Sequence, residues 1–466
     1  MSNTRIEKDT MGEMELPADA LWGATTQRAV ENFPISGRPL PPEFLRALGL
    51  VKLAAARANR DFGLLDPAVA SAIEAAAQQV ADGKHDREFP IDVFQTGSAT
   101  STNMNANEVI GTIATRAHGT KIHPNDHVNL GQSSNDVIPT VLHVAAVLGI
   151  EQQLVPALRY LHACLDAKAK EFDHVVKIGR THLMDAVPIR LGQEFSGYAR
   201  QVELAIARVE ATLPGLRELA IGGTAVGTGL NTHADFGKAV AKQLTALTGT
   251  EFVEAKNHFE AQAAQDAYVF TAGALNSVAA SLMKIANDIR LLGSGPQAGL
   301  GEIILPAIQP GSSIMPGKVN PVICEAVIQV GAQVTGNSAA ITIGGQWGQL
   351  DLNVMLPMMA DNMLESLRLL SNVSRLFVDK CLAGVTANVE RAESYIERSI
   401  SMATALNPHI GYEAAAKIAK ESYATGRTVR DIAYETSGLS KEQVDEALHP
   451  HQQTIAGTGA GQAAGG

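Results

Sequence analysis

Four polar stretches interrupt an otherwise apolar, helical pattern, and each carries groups able to hold an anion or move a proton. The first is Gly97-Ser-Ala-Thr-Ser-Thr-Asn103. The second is Gln132-Ser-Ser-Asn-Asp136, preceded by His123-Pro-Asn-Asp-His127. The third is Gly179-Arg-Thr-His182. The fourth is Gly311-Ser-Ser-Ile-Met-Pro-Gly-Lys-Val-Asn-Pro321, with Glu325 just beyond it. Ser133, Ser134, Asn135 and Asp136 stand just before a long helical pattern. A helix start offers free backbone N–H groups and the positive end of the dipole, which suits an anion. The same residue types also cap helices with no further role. His182 has an imidazole that titrates near neutrality, as a general acid or base requires. Asn320 is a good cap and Pro321 suits a first helical turn, so Glu325 is expected about one turn into a rigid helix.

Other chemistries find little support. His123, His127 and Asp126 are metal-ligand types, but Pro124-Asn-Asp reads as a turn and no second His pair accompanies them. Gly222-Gly-Thr-Ala-Val-Gly-Thr-Gly229 matches neither nucleotide-binding glycine spacing. Trp22 and Trp347 are the only tryptophans, too few for a stacking platform. No metal and no cofactor are therefore expected.

The elements that must position these groups are mostly helices. Apolar residues recur at helical spacing from Leu45 to Ala81, Pro139 to Phe172, Gln193 to Leu219, Phe236 to Leu247 and Ala261 to Leu292. Another helix is expected from Asn320-Pro321 to about Val334, and a last one at Glu442 to Leu448. The first 50 residues read as loop. The Ser/Thr/Asn run from Gln95 to Asn107 reads as caps and turns, because such side chains compete for backbone bonds. Thr454 to Gly466 reads as a disordered Gly/Ala tail. No sustained alternation marks a substantial strand. Long Ala-rich helices suggest an elongated antiparallel bundle that packs with bundles of other chains.

Composition narrows the partners. The 466 residues carry a net charge of −11, which argues against nucleic acid or an anionic membrane. Cys164, Cys324 and Cys381 lie far apart, so no disulfide framework is expected. The charged start lacks a secretory signal, and no apolar run of about 18 residues suggests a membrane span. A cytoplasmic setting is the expectation.

From about Arg5 to Pro450 the four stretches, in order, resemble the fumarase/aspartase superfamily, with Gly311 to Pro321 similar to its signature loop. Arg5-Ile-Glu-Lys-Asp-Thr-Met-Gly and Asn32-Phe-Pro-Ile-Ser-Gly are similar to class II (iron-independent) fumarate hydratases. Aspartases usually carry Gln where this chain has His182, and tend to lack a serine matching Ser98. The resemblance implies a mainly α, three-domain fold: residues 1–134, a central bundle over 135–356, and a small helical domain over 357–466. Five central helices per chain would form a twenty-helix core in a homotetramer, with each site assembled from three subunits.

By the same resemblance the reaction is reversible hydration of fumarate to (S)-malate, without a cofactor. Ser312 would be the base, Lys318 and Asn320 would bind the carboxylate that gains charge, and His182, oriented by Glu325, would act through a water. Ser98, Thr100, Ser133, Ser134, Asn135, Thr181 and Ser313 would bind the substrate carboxylates. His123, Asn125 and Asp126 resemble a second dicarboxylate site, although Thr120-Lys121 replaces the arginine often found before it. The rival readings are an aspartate ammonia-lyase and a non-catalytic structural relative, as some lens crystallins are.

Overall fold

The computed structural model describes residues 4–458. A hairpin of β1 (Thr4–Asp9) and β2 (Gly12–Pro17) opens the chain. Helices α1 (Ala24–Asn32), α2 (Pro42–Asp61), α3 (Pro67–Ala81), α4 (Thr100–His118), α5 (Ser134–Gly149) and α6 (Val155–Glu171) follow. A second hairpin, β3 (Val176–Thr181) and β4 (Met184–Arg190), leads to α7 (Leu191–Glu210), α8 (Leu213–Leu216) and α9 (Phe236–Thr248). Then come α10 (His258–Ala263), α11 (Asp266–Leu292), α12 (Val322–Gly345) and α13 (Leu356–Lys380). Shorter helices complete the described chain: α14 (Val389–Ser394), α15 (Asn407–Ile410), α16 (Tyr412–Thr425), α17 (Val429–Thr436) and α18 (Lys441–Ala447). The fold is mainly α and built on long helices, as the periodicity implies. Its residues gather into two compact units.

The first unit holds residues 1–156, 205–280 and 330–372. At its centre α5 is largely apolar and buried on every side, with Val137, Ile138, Val141, Leu142, Val144 and Val147 fully buried. A helix without a polar face is stable only when surrounded. The amphipathic α2 packs on α3, α5 and α9. Between α2 and α3 the expected continuous helix breaks at Gly63, and Asp66 caps the second piece by accepting from Ala68 and Val69 N–H. Gly23 caps α1 without a side chain. Glu108 of α4 does that work instead, accepting from the N–H groups of Gly23, Thr25 and Thr26 at 2.9, 3.1 and 3.2 Å.

Two expectations fail in this unit. The opening 50 residues are not all loop, because β1 pairs in register with β2 from Thr4↔Pro17 to Asp9↔Gly12. Its alternation is hidden because both faces carry charge; Arg28 on α1 holds Asp9 through two 2.9 Å bonds. The Ser/Thr/Asn run is not a string of turns either. From Thr100 it is α4, and Thr102, Asn103, Asn105 and Asn107 are buried in it. Partners outside the helix replace the local backbone bonds for three of them: Gln95 Oε1 accepts from Thr102 Oγ1 at 2.8 Å, Ser134 Oγ from Asn103 at 3.0 Å and the Glu88 carbonyl from Asn105 at 2.9 Å.

The second unit holds residues 157–204, 281–329 and 373–466. Val176 and Ile178 of β3 pack with Ile396, Met402, Leu406, Ile418 and Ile432 in an apolar core. The helix expected to end near Val334 runs on to Gly345, since no breaker intervenes. Thr454, expected in a disordered tail, accepts from Arg190 Nη1 at 2.8 Å; the tail beyond Thr458 lies outside the described residues. Two helical stretches, Ser134–Glu171 and Asp266–Leu292, are long and apolar enough to cross a membrane by length and composition alone. Their most apolar windows are 72% and 50% buried within the chain, as core helices are.

Candidate active site

The expected site residues fall into both units. In the first, two helix starts carry the binding candidates. Ala99 adopts φ +53° at the start of α4, which turns the chain tightly between Ser98 and Thr100. Their hydroxyls meet at 2.8 Å, and Ser98 is buried. Gly97 lies against the backbone of Val354; a Cβ there would sit 2.0 Å from the Val354 carbonyl oxygen, so only glycine permits the approach.

The start of α5 is a capping box. Ser133 Oγ accepts from Asn135 N–H at 3.2 Å, while Ser133 N–H donates to Asp136 Oδ1 at 2.9 Å. Asn103 of α4 donates to Ser134 Oγ at 3.0 Å, so the two helix starts are tied together. Asn135 donates to the Ala225 carbonyl at 2.8 Å. Behind them lie two charges: Asp136, read from the sequence only as part of the helix start, and Lys52, which the sequence does not single out. Asp136 is fully buried and accepts from Gly222 and Thr224 N–H at 3.0 and 2.9 Å. Burial pushes its carboxyl up, against those bonds and the charge of Lys52. Lys52 is also fully buried and donates to Asn129 Oδ1 and Gln132 Oε1 at 2.9 and 3.0 Å. Burial brings its ammonium down to about 7, and Asp136 opposes the shift. The available signal was a lone lysine within Val51-Lys-Leu-Ala-Ala-Ala56.

His123, Asn125 and Asp126 lie on one wide turn over Pro124–Val128, closed by i→i+5 backbone bonds. His123 Nδ1 stands 3.1 Å from Asp126 Oδ2. His123 and Asn125 line a cavity of about 1190 Å³ together with Arg28, Arg116 and Lys121. Among the described residues, no group of three or more His, Cys, Asp or Glu side chains could hold a metal.

The second unit carries the candidates for chemistry. Thr181 closes β3 and Met184 opens β4, so His182 and Leu183 form a two-residue hairpin loop. Both have positive φ, +56° and +62°. Such a turn favours Asn-Gly, and a His-Leu pair there is strained. Thr181 and His182 are exposed.

The glycine loop is closed at its base. Gly311 N–H donates to the Lys318 carbonyl at 2.7 Å, and Asn320 Nδ2 donates to the Gly311 carbonyl at 2.9 Å. Lys318 Nζ donates to Asn320 Oδ1. A Cβ on Gly311 would meet the Lys318 carbonyl oxygen at 2.6 Å. Within this ring Ser312 Oγ accepts from two backbone amides, Ile314 at 3.2 Å and Met315 at 3.0 Å. Two N–H groups aimed at one oxygen favour its anionic form. Ser313 and Lys318 are exposed. Glu325 lies in the first turn of α12. Among the described residues of one chain, no hydrogen bond or ion pair joins His182 to Glu325.

Comparison with known proteins places this arrangement. A family model described as a lyase matches residues 12–336, and one described as the fumarase C C-terminus matches residues 402–454. A protein of Corynebacterium efficiens named fumarate hydratase class II is 60% identical over 443 residues, 95% of this chain and 93% of its own. The chain belongs to the class II fumarate hydratases, within the fumarase/aspartase superfamily. The class II fumarate hydratase of Mycobacterium tuberculosis is 59% identical over 452 residues, covering 96% of this chain and 95% of its own. Among solved structures, recombinant class II fumarase from Schistosoma mansoni superposes with a TM-score of 0.95 at 39% identity, covering 97% and 99% of the two chains. A Brucella melitensis fumarate lyase:delta crystallin bound to cobalt gives 0.93 at 45% identity, over 97% and 100%. The class II resemblance read from the sequence therefore holds along nearly the whole chain.

Proposed function

We infer that this chain catalyses the reversible hydration of fumarate to (S)-malate. Its kinship with class II fumarate hydratases along 95% of its length supports the reaction. The single structural observation that carries the mechanism is Ser312 Oγ receiving two backbone N–H bonds inside a glycine-closed loop. A free serine hydroxyl is a poor base. Preorganised donors stabilise its alkoxide and require no reorganisation as the charge moves.

In the malate direction Ser312 takes the proton from C3. The electron pair spreads onto the adjacent carboxylate, which gains charge against Lys318 and Asn320. The C2–O bond then breaks, and protonated His182 passes its proton through a bound water to the departing hydroxide, which leaves as water while the imidazole becomes neutral. Ser98, Thr100, Ser133, Ser134, Asn135, Thr181 and Ser313 donate to the substrate carboxylates. Neutral donors at helix starts explain how a chain of net charge −11 accepts a dianion: the attraction is local. The steps leave the oxidation state of the enzyme unchanged and call for no redox cofactor.

Exposed Phe270, Ile343, Trp347 and Leu350, at 60%, 53%, 48% and 92%, support association of several copies. We place the chain in a cytoplasmic homotetramer with a twenty-helix core, three domains per chain and sites assembled from three subunits. Glu325 then orients His182 across a subunit boundary, and His123, Asn125 and Asp126 hold a second dicarboxylate. Malate and aspartate, supplied side by side while fumarate absorbance is followed, test the reading. Fumarate from malate alone is expected. Fumarate from aspartate alone would make the chain an ammonia-lyase, and none from either would favour a non-catalytic relative.

A further inference from the structure

Beneath the His182 hairpin lies a set of buried charges that none of the roles above uses. Glu302 is fully buried, yet its carboxylate takes two parallel bonds from Arg180, Nη1 to Oε2 and Nη2 to Oε1, both at 2.9 Å. Lys177 Nζ stands 3.3 Å from the same carboxylate and 3.0 Å from Glu194. Lys177 and Arg180 are three apart on β3 and would face opposite sides of a regular strand. An extra residue in β4, between the Ile178↔Pro188 and Arg180↔Asp185 pairs, raises the local twist at that point. Both cations reach Glu302 there. Arg180 also lies over the Tyr395 ring at 5.5 Å.

The backbone of Glu302 is pinned as well. Its N–H donates to the Leu292 carbonyl at the end of α11, and its carbonyl accepts from Asn388 N–H, both at 2.9 Å. Glu302 thus fixes two things. Its side chain grips the strand that ends at His182, two residues past Arg180. Its main chain anchors the segment that reaches Ser312 ten residues later. The hairpin needs a grip, since His182 and Leu183 both hold positive φ without glycine or asparagine.

We propose that Glu302 is a positioning residue for the reaction, clamping the His182 hairpin through Arg180 and Lys177 to the root of the Ser312 loop. Glu302 touches no substrate and acts through those partners. The proposal rests on the reading of His182 and Ser312 given above. A bidentate Arg–carboxylate pair fixes angle as well as distance, which a lone ammonium does not. Misplacement of a catalytic group by about 1 Å can cost roughly 100-fold in rate.

The test uses the full-length enzyme in its native assembly, with Glu302→Gln, Arg180→Gln, the double variant and His182→Asn in parallel. Glu302→Gln is expected to lower kcat by about 10- to 100-fold with KM nearly unchanged. Amide exchange at residues 181–184 is expected to quicken more than exchange in α16. The double variant removes the whole Arg180–Glu302 pair and leaves Lys177, so its kcat is expected to be no lower than that of the worse single variant. Unaltered kcat in Glu302→Gln, alongside a large loss in His182→Asn, would overturn the clamp and leave the catalytic reading standing. Unaltered kcat in both would overturn the reading of His182 and the clamp with it. A lowered kcat with unchanged exchange at 181–184 would also overturn the clamp. If Glu302→Gln does not fold, Arg180→Lys keeps the charge but loses the fork, and the same kcat and exchange readouts decide.

Discussion

The two units solve opposite problems. In the first, the binding candidates sit at starts of buried helices, and every donor is held by a second polar group: Ser134 by Asn103, Asn135 by Ala225, Gln132 by Lys52. In the second, Ser312 and His182 stand on exposed backbone in unusual conformations, a glycine-closed loop and a strained two-residue turn. Binding a dianion asks for fixed neutral donors, which helix starts supply. Moving a proton asks for a group whose charged form is stabilised in place, which a tight loop of amides supplies. Changes at Ser312 and His182 should therefore act on kcat, and changes at the helix starts of the first unit on KM and stability.

His182→Asn should be the strongest contrast of the set, lowering kcat by about 100- to 10,000-fold, the usual worth of a general acid. Asparagine tolerates positive φ better than histidine, so thermal melting should show stability unchanged or slightly raised. A change in KM alone would refute the acid role. Gly311→Ala should come next, because its methyl group would strike the Lys318 carbonyl at 2.6 Å and open the ring around Ser312. A fall of about 10-fold or more in kcat, with the melting point nearly kept, is expected from steady-state kinetics and calorimetry.

The first unit should answer differently. Ser133→Ala removes an N-cap, which costs about 1 kcal/mol, and denaturant titration should show it. KM should rise several-fold while kcat stays close to normal; a collapse of kcat would break the division between the units. Lys52→Met gives the smallest change at neutral pH in turnover and the clearest one in stability against pH. The folded Lys52 titrates near 7 and the unfolded one near 10.5, so its charge costs the fold stability below that window. Between about pH 7 and 10.5 that cost fades. The unaltered protein should gain stability relative to Lys52→Met as pH rises through this range, and melting at stepped pH values would expose the opposite trend.

The same division decides what the sequence makes legible. Ser312, Lys318 and Asn320 lie within nine residues, and their ring is closed by local bonds, so spacing alone brings them together. The long helices were legible because an apolar stripe repeats at the helical period, although their ends at Asp61 and Gly345 were not. Lys52 and Glu302 escape notice for one reason. Each meets partners far along the chain, Lys52 to Gln132 being 80 residues, and nothing in the local pattern separates a buried charge from a solvated one. The β1–β2 hairpin was missed because charges occupy both of its faces.

The central claim is that Ser312 does chemistry while separate groups hold the substrate. Ser312→Ala isolates it, with kcat and the affinity for an unreactive saturated dicarboxylate measured on the same preparation. The account predicts that turnover is abolished while the dicarboxylate binds within a few-fold of normal. Near-normal turnover in that variant would contradict it.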